Sequence, residues 1–314
     1  ISGYSSLRGD GILGRSQSTG FLLTTNCATI NYSSSTGLAE GEYCILDSLV
    51  INQSNNYFAL QTSKSCISSH CRITCSYAGT SARGINISNQ GGSIYNCDII
   101  MSGASTAYDA VLINFATNTW IYGCFISIAS STAYCVRTSG TAVNIVTNSV
   151  FTGSGIGVKT DANTNYIALH NCTFSGLGSD AVQITGTGQA NLCRLVDTCI
   201  TDNGGWGITM GSDVPVEIIN CRIRDNASGN INGSLAWMPF ALNLITSDSG
   251  GPSQDYISSG SSNPIGYALA PTSPAYGAGT FGANIGALPK GAGPTGPTFP
   301  VTLTRGNRRK KLGQ

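Results

Sequence analysis

Charged residues are scarce in this chain of 314 residues, which has 16 Lys and Arg, 15 Asp and Glu and a net charge of +1. They make up 10% of the sequence, against about 25% in ordinary soluble proteins. The exposed surface is therefore expected to consist mainly of Ser, Thr, Asn and Gly. A neutral, hydrogen-bonding surface favours contact with sugars or with further copies of the chain over contact with nucleic acid. Since no run of about 18 apolar residues occurs either, no membrane-spanning helix is expected.

The few cations are unevenly distributed along the chain. Five of the 16 lie within the last ten residues, namely Arg305, Arg308, Arg309, Lys310 and Lys311. A solvated tail is the simpler interpretation of this basic run, and docking to a phosphate or a partner is the alternative. The chain begins at Ile1 without a Met, so we expect a processed or excerpted product with a further segment upstream.

A short phrase recurs nine times between Asn26 and Ile223. It consists of a turn-forming polar residue, a small residue, any residue and usually an aliphatic or aromatic one. The small residues are 21 to 27 positions apart, at Cys27, Ser48, Cys71, Cys97, Cys124, Ser149, Cys172, Thr198 and Cys221. A period in this range is typical of stacked supersecondary units, so the repeat predicts a solenoid.

Each repeat contains the residues of three short strands. Apolar residues occur three positions before the small one, at Ile45, Ile94, Ile121, Val146, Leu169, Leu195 and Ile218. Because this offset is odd, the chain must bend between the two strands, where Asn, Asp, Gly or His tolerate a left-handed backbone. A third apolar strand, seen at 84–87, 110–113, 155–158, 181–184 and 207–210, closes a triangular coil. About nine coils with parallel strands are predicted, with Asn96, Asn148, Asn171 and Asn220 stacked at the bend.

Six of the twelve cysteines share the small-residue position with Ser and Thr. A position that accepts Cys, Ser or Thr requires a small buried side chain, so these cysteines are expected to be packed free thiols. Stacked residues also have parallel Cα–Cβ vectors, which is the wrong geometry for a disulfide. The group Cys66, His70, Cys71 and Cys75 lacks the paired C-x2-C spacing of a zinc site, so neither a metal nor a cofactor is expected.

The Asn-Cys-x-Ile bends and Gly-Ile-x-Ile strands between residues 20 and 226 resemble the coils of right-handed, single-stranded parallel β-helix proteins of the pectate-lyase-like superfamily. The segments 273–279 and 285–288 resemble a C-terminal signature of secreted or surface members. The predicted organisation is a β-helix over 1–226, an irregular cap over 227–292 and a Gly/Pro linker with the basic tail over 293–314. An aromatic sugar-binding platform is the alternative interpretation of 227–292, since an open coil end needs a cover.

The outward positions of the third strand are predicted to be Asn86, Leu112, Gly157, Gln183 and Thr209, none of which is acidic. Asp109 and Asp180 precede such strands but lie three coils, or about 14 Å, apart. That separation is too large for a glycosidase pair, so both are interpreted as turn residues.

Two further sets could carry catalysis. Asp202 and Asp225 occupy equivalent places in adjacent coils, about 5 Å apart, which suits a retaining glycosidase pair as well as two ordinary turns. Arg137, Lys159 and Asp161 form a polar set in which a lyase could keep a base and a cation. If the protein is an enzyme, the catalytic candidates are Asp202, Asp225, Lys159 and Asp161. The catalytic signatures of the superfamily, such as Gly-His-Gly, an Asp-Asp pair and Arg-x-Lys outside the tail, are missing.

The first functional hypothesis is a non-enzymatic, carbohydrate-contacting structural module, located outside the cell or on a virion as part of a fibre, tailspike or appendage. The resemblance implies association with copies of itself, as a homotrimer or filament, and neither nucleic acid nor membrane insertion is expected. A polysaccharide lyase or glycoside hydrolase with a groove along the coils is the second hypothesis, and a bacterial cell-surface adhesin is the third.

Overall fold

A computed structural model describes residues 28–33, 38–39, 43–55, 57–63, 65–77, 82–88, 91–103, 108–114, 118–139, 143–161, 166–185, 192–211, 214–233, 240–242, 267, 273, 275, 278–280 and 285–287. Within these residues the chain forms 27 strands and no α-helix, so the predicted all-β class is confirmed. It follows that this part of the chain has no helix of the length and hydropathy needed to cross a membrane. Residues 1–27, with Cys27, and 288–314, with the predicted linker and basic tail, lie outside the described part.

The strands form three parallel sheets of nine strands each. Sheet 1 consists of β2 (Leu38–Ala39), β5 (Phe58–Ser63), β8 (Arg83–Ser88), β11 (Asp109–Asn114), β14 (Tyr134–Ser139), β17 (Ile156–Thr160), β20 (Val182–Ile184), β23 (Trp206–Met210) and β26 (Gly229–Asn232). Sheet 2 consists of β1 (Ala28–Tyr32), β4 (Leu49–Gln53), β7 (Arg72–Cys75), β10 (Asp98–Met101), β13 (Phe125–Ile128), β16 (Val150–Gly153), β19 (Thr173–Leu177), β22 (Cys199–Thr201) and β25 (Arg222–Arg224). Sheet 3 consists of β3 (Ile45–Asp47), β6 (Cys66–Ser69), β9 (Gly92–Tyr95), β12 (Thr119–Tyr122), β15 (Val143–Thr147), β18 (Tyr166–His170), β21 (Leu192–Val196), β24 (Val216–Ile219) and β27 (Phe240–Leu242).

Consecutive strands belong to different sheets, so the backbone winds into the predicted three-sided parallel β-solenoid. The winding amounts to about seven regular turns, slightly fewer than the nine predicted. Strand β2 in the first turn has only two residues.

Ladders of identical or similar side chains fill the interior. The inward row of sheet 2 is fully buried and contains Ile51, Ile73, Ile99, Ile126, Phe151, Phe174, Ile200 and Ile223. The rings of Phe151 and Phe174 stack in parallel with centroids 4.4 Å apart. Each such side chain contributes about 1.5–3 kcal/mol through burial, so the ladders supply the main driving force for winding.

Left-handed residues turn the chain from sheet 3 into sheet 2, as predicted. The bend residues with positive φ are His70, Asn96, Gly123, Asn148, Asn171, Asp197 and Asn220. In the turn that contains Asp47, the left-handed residue is instead Ser48, with φ 58°. This shift by one residue explains why Ile45, predicted to point inward, is 55% exposed while Leu46 is buried.

A second polar ladder lies at the corner between sheets 2 and 1. The amide of Asn203 donates to Asn226 Oδ1 at 2.8 Å, and both side chains are buried. Asp202 and Asp225, which precede these asparagines, are left-handed, with φ 59° and 53°. Stacked buried amides thus occur at this corner in addition to the half-buried bend residues Asn96, Asn148, Asn171 and Asn220.

All eleven described cysteines are free thiols, and ten of them are buried. The prediction of packed free thiols is therefore confirmed for the described residues. Desolvation raises the pKa of the Cys172 and Cys221 thiols to about 12.

The described residues of the C-terminal segment lie against the side of the solenoid. Tyr267, Ala275, Ile285 and Ala287 pack on Phe125, Val150 and Cys199 of the outer face of sheet 2. Hydrogen bonds hold the segment there, between the hydroxyls of Tyr267 and Thr152 at 2.6 Å and from Ala287 N to Thr173 Oγ1 at 2.9 Å. The segment 227–292 also continues the solenoid through β26 and β27. The domain boundaries and the cap stay predictions, as does the aromatic platform.

The register of sheet 1 corrects one predicted outward position. Val158 pairs with Val182 and Lys159 with Gln183, so Lys159 is the outward residue of β17. A Cβ on Gly157 would meet the buried rings and methyl groups of Phe174 and Leu177, which places Gly157 against the core. The prediction for Gly157 was wrong because the 155–158 motif lies two residues out of register with its neighbours.

Candidate functional site

The outer face of sheet 1 carries the largest ion-paired group of side chains among the described residues. We call this group the cationic cluster, and it consists of Arg83, Asp109, Tyr134, Arg137, Lys159 and Asp161. Its members come from β8, β11, β14 and β17 and from the residue directly after β17. Arg83, Asp109 and Tyr134 are register partners, and so are Arg137 and Lys159, so consecutive coils bring them together.

Asp109 is the buried centre of the cluster, with its side chain only 3% exposed. Arg137 approaches both carboxylate oxygens, with Nε 2.9 Å from Oδ1 and Nη2 2.9 Å from Oδ2. Arg83 Nε lies 3.6 Å from Oδ2. Burial raises the pKa of the Asp109 carboxyl above its ordinary value, although Arg137 and Arg83 act in the opposite direction. A buried carboxylate needs such partners, so this part of the cluster has a structural role.

Asp161 links the two outer cations of the cluster. Lys159 Nζ lies 3.3 Å from Asp161 Oδ1, and Arg137 Nη1 lies 3.6 Å from Oδ2. The ring of Tyr134 lies beneath both cations, with its centroid 5.1 Å from Lys159 Nζ and 5.5 Å from Arg137 Cζ. Both distances are within the range of cation–π attraction. The two cations are thereby held at fixed positions on a rigid sheet.

The cluster contains three cations and two carboxylates, so it has an excess of one positive charge. Lys159, Arg137 and Asp161 are partly exposed, at 21%, 30% and 30%. An ammonium and a guanidinium held in this way can donate hydrogen bonds to hydroxyl or carboxylate oxygens of a ligand. The carboxylates, in contrast, already accept from cations, which makes each a poor general base.

Uncharged polar residues extend the same outward row. Lys159 pairs with Gln183, and Gln183 pairs with Thr209. Asp180 connects the residues at the Thr209 end of this row through hydrogen bonds. Its carboxylate accepts from Trp206 N at 2.8 Å, from Thr209 Oγ1 at 2.8 Å and from Gln183 Nε2 at 3.4 Å. The turn role predicted for Asp180 agrees with these contacts.

The structure also tests the relation between Asp109 and Asp180. Asp109 begins β11 and Asp180 precedes β20, and β14 and β17 lie between them. The two carboxylates are therefore three coils apart, as predicted, and do not form a pair. Asp109 is not the turn residue that the sequence indicated, since it lies in a strand and binds arginine.

Asp202 and Asp225 follow the register partners Thr201 and Arg224, so they occupy equivalent corners of adjacent coils. Desolvation raises the pKa of Asp202, and the neighbouring Asp225 adds to this increase. Asp225 accepts from Arg224 Nε at 2.6 Å. The two carboxyls of this pair thus differ in their surroundings, since Asp225 is paired with Arg224 and the pKa of Asp202 is raised. Their left-handed backbone equally fits a turn, so the two interpretations stay open.

A second surface feature is an uncharged cleft of about 340 Å³ near the N-terminal end of the outer face of sheet 2. It is lined by hydroxyl and amide side chains, namely Asn31, Ser33, Asn52, Gln53, Ser54, Thr74 and Ser76. Asn52 Nδ2 donates to Asn31 Oδ1 at 2.9 Å, so the amides of these two adjacent strands bond to each other. Such a lining can exchange hydrogen bonds with sugar hydroxyls.

The sequence analysis identified Arg137, Lys159 and Asp161 as one set but did not include Arg83, Asp109 and Tyr134. A signal for these residues was present, since each directly precedes the apolar residues of a sheet 1 strand. Aligning the repeats at that position would have placed them in one row. Within the described part of the chain, no group of three or more His, Cys, Asp or Glu side chains could hold a metal ion.

No protein-family model matches the chain, and the search of curated proteins likewise found no match. The functional argument therefore starts from the fold and from the side chains on its faces.

Proposed function

We propose that this protein is a rigid, non-enzymatic β-solenoid module that contacts carbohydrate through the outer face of sheet 1. The observation that carries the proposal is the outward row Arg137, Lys159, Gln183 and Thr209 on four successive coils. Its side chains recur about every 4.8 Å along a rigid axis. Such a row offers repeated hydrogen-bond donors to an extended chain of sugar units.

The state of the carboxylates supports binding rather than catalysis at this face. Asp109 is almost fully buried and engaged by two arginines, and Asp161 accepts from Arg137 and Lys159. A general base must be free to accept a proton from the substrate. Neither carboxylate meets this requirement without first losing its ion pairs.

We further propose that the module lies outside the cell or on a virion, as part of a fibre, tailspike or surface appendage. The support is the low charge content and the resemblance of the repeat to extracellular β-helix proteins. Mass spectrometry of purified particles and of the shed surface fraction tests this location. Recovery only from the cell interior would contradict it.

Binding to an array of neutral and anionic glycans tests the carbohydrate proposal. We expect at least one extended glycan to bind and Lys159→Ala to weaken that binding about tenfold, the loss of one charge-assisted hydrogen bond. Arg194→Ala is the matched control, because Arg194 is 41% exposed on sheet 3 and should leave binding unchanged. Binding that is equally insensitive to both substitutions would overturn the assignment to sheet 1.

A glycoside hydrolase is the second candidate, and the raised pKa of Asp202 beside the ion-paired Asp225 favours it. Two carboxyl groups at equivalent places in adjacent coils, one of them with a raised pKa, resemble the pair that a retaining glycosidase uses. A reducing-sugar assay against the glycans that bind decides between the two functions. Turnover that disappears in both Asp202→Asn and Asp225→Asn would establish the hydrolase and refute the non-enzymatic role.

A further inference from the structure

A short polar motif recurs on three successive coils at the N-terminal end of sheet 2, and the winding of the chain does not require it. The motif is Asn or Thr, any residue and Ser, and it occupies 31–33, 52–54 and 74–76. Its first residues are register partners on β1, β4 and β7. In the next coil the equivalent residue on β10 is Ile100, so the fold also accepts an apolar side chain at this position. The repeated polar residues therefore indicate a role at the surface.

The first and third residues of the motif form two rows of three side chains, which we call the polar array. Alternate residues of an extended chain face the same side, so both rows point outward. Neighbouring side chains are about 4.8 Å apart between coils and about 6.6 Å apart along the chain. The array consists of Asn31, Asn52, Thr74, Ser33, Ser54 and Ser76, which together with Gln53 line the uncharged cleft of about 340 Å³.

Gln53 is the buried member of the cleft lining, with only 1% of its surface exposed. Its amide nitrogen donates to Asn55 Oδ1 at 2.7 Å and to Tyr57 O, and its amide oxygen accepts from Cys75 Sγ at 3.2 Å. Ser76 N donates to Gln53 O at 2.9 Å, so the spacing of the coils continues past the strand ends. These bonds join β4 to β7 and to the segment before β5. The cleft is therefore preformed, and a ligand can bind without first ordering the chain.

The polar array has hydrogen-bonding capacity beyond its internal bonds. Asn52 Nδ2 donates to Asn31 Oδ1 at 2.9 Å, which orients both amides. Two Asn amides offer four N–H groups and four lone pairs between them, and this bond uses one of each. Ser33 and Thr74 add hydroxyl groups, each of which is both a donor and an acceptor. Asn31 and Ser33 are exposed, and Asn52 and Thr74 are half-buried, so a ligand can reach all four side chains.

The chemistry of the lining selects the class of ligand. A sugar hydroxyl both donates and accepts, so it is complementary to hydroxyl and amide side chains that do the same. The lining residues carry no charge, so an ionised ligand would lose hydration there without gaining a charged partner. They also include no aromatic or aliphatic side chain on which a base or an apolar peptide side chain could pack.

We propose that this cleft is a second carbohydrate site, which binds one or two neutral sugar units of a glycan with Asn52 and Thr74 at its centre. Its volume of about 340 Å³ lies at the lower end of the range for small-molecule sites, which suits a short ligand. Contact with the ligand ends at Ile100, where the polar row stops. Because no aromatic ring of the lining stacks on the sugar, the expected Kd is in the millimolar range.

Saturation-transfer difference NMR with defined trisaccharides tests the site, since it detects millimolar binding. The neutral probes are maltotriose, cellotriose, laminaritriose and triacetylchitotriose, and trigalacturonic acid is the anionic probe of the same length. We expect saturation transfer from the protein to at least one neutral trisaccharide. Trigalacturonic acid should not displace that trisaccharide, because the cleft offers no cation to its carboxylates.

Two substitutions in the polar array should weaken this binding. Thr74→Val removes one hydroxyl with little change of shape, and we expect an affinity about fivefold lower, the loss of one neutral hydrogen bond. Asn52→Ala should lower the affinity about tenfold, because it removes one amide and releases that of Asn31. Ser127→Ala is the matched control, since Ser127 lies in the same row beyond Ile100, and it should leave binding unchanged. Urea unfolding of each variant checks that the fold is kept.

Chemical shifts of side-chain amides locate the bound sugar. The amide signals of Asn31 and Asn52, assigned by their loss in Asn31→Ala and Asn52→Ala, should move when the bound trisaccharide is added. The amide signal of Gln183, which lies in the outward row of sheet 1, is the internal control and should stay in place.

Failure of all four neutral trisaccharides to receive saturation, displacement by trigalacturonic acid, or equal effects of Thr74→Val and Ser127→Ala would overturn the proposal. Loss of trisaccharide binding in Lys159→Ala, with unmoved Asn31 and Asn52 signals, would assign the sugar to sheet 1 and refute the second site. The proposal does not depend on the function of sheet 1, because the cleft lies on a different side of the solenoid. Trisaccharide binding that persists in Lys159→Ala supports the cleft even if the sheet 1 proposal fails.

Discussion

Replacing Arg137 with Met should destabilise the protein in a strongly pH-dependent manner. The substitution keeps much of the apolar stem of the side chain but removes the main cationic partner of the buried Asp109. Two opposite charges about 4 Å apart attract by about 4 kcal/mol at an effective dielectric constant near 20. Because Arg137 is 30% exposed, solvent screening reduces this value, and we expect a loss of about 2 kcal/mol at pH 7.

The pH dependence follows from the direction of the pKa shift of Asp109. Burial raises the pKa of Asp109 in the folded protein above its ordinary value of 3.8. Protonated Asp109 therefore stabilises the folded state fully below pH 3.8, and this stabilisation is lost as the pH rises. Removing Arg137 raises the folded-state pKa further, because Arg137 is the strongest of the groups that lower it. The destabilisation should therefore be smaller at pH 4 and grow towards pH 7.

Urea unfolding of both proteins between pH 4 and pH 7 measures this difference. Arg194→Met is the matched control, since its ion pair with Glu217 is more exposed and should contribute less than about 1 kcal/mol. A loss that is the same at pH 4 and pH 7 would refute the assignment of Asp109 as the group responsible.

Three further perturbations test the packing of the solenoid. Phe174→Ala should lower the free energy of unfolding by about 3–5 kcal/mol, measured by urea unfolding, because it leaves a cavity in the stacked Phe ladder. Asn144→Leu should raise the free energy of unfolding by about 1 kcal/mol, because neither the buried side-chain nitrogen nor the buried side-chain oxygen of Asn144 has a hydrogen-bond partner. An unchanged free energy of unfolding would mean that the amide is solvated. Native Cys172 should resist a thiol reagent at pH 8 and react after unfolding, because burial raises its pKa to about 12, and rapid labelling of the native protein would contradict the packed interior.

The repeated part of the fold could be predicted from the sequence because each coil is encoded locally. The left-handed bends and the small buried residues recur at fixed positions, and the free thiols at Cys97 and Cys221 followed from that pattern. The errors arose where one coil differs from the rest by one or two residues. Ser48 takes the bend instead of Asp47, and Lys159 takes the outward position assigned to Gly157.

The candidate site could be predicted only in part. Arg137, Lys159 and Asp161 were grouped from their spacing, but Asp109 was interpreted as a turn residue and Tyr134 was not considered. Their contacts join residues 25 to 28 positions apart, so they depend on the register between coils. Register is set by the packing of the interior ladders, which no single coil determines.

By itself, the sequence determined the winding of the chain. A local pattern of apolar, small and left-handed residues recurs every 21 to 27 positions, and few other folds would bury the apolar side chains of such a pattern. The tertiary structure alone decided the chemistry of the three outer faces. The segment that covers part of sheet 2 includes Tyr267, whose hydroxyl meets that of Thr152, 115 positions earlier in the chain. Contacts over such separations result from the complete fold, so they determine which face is covered.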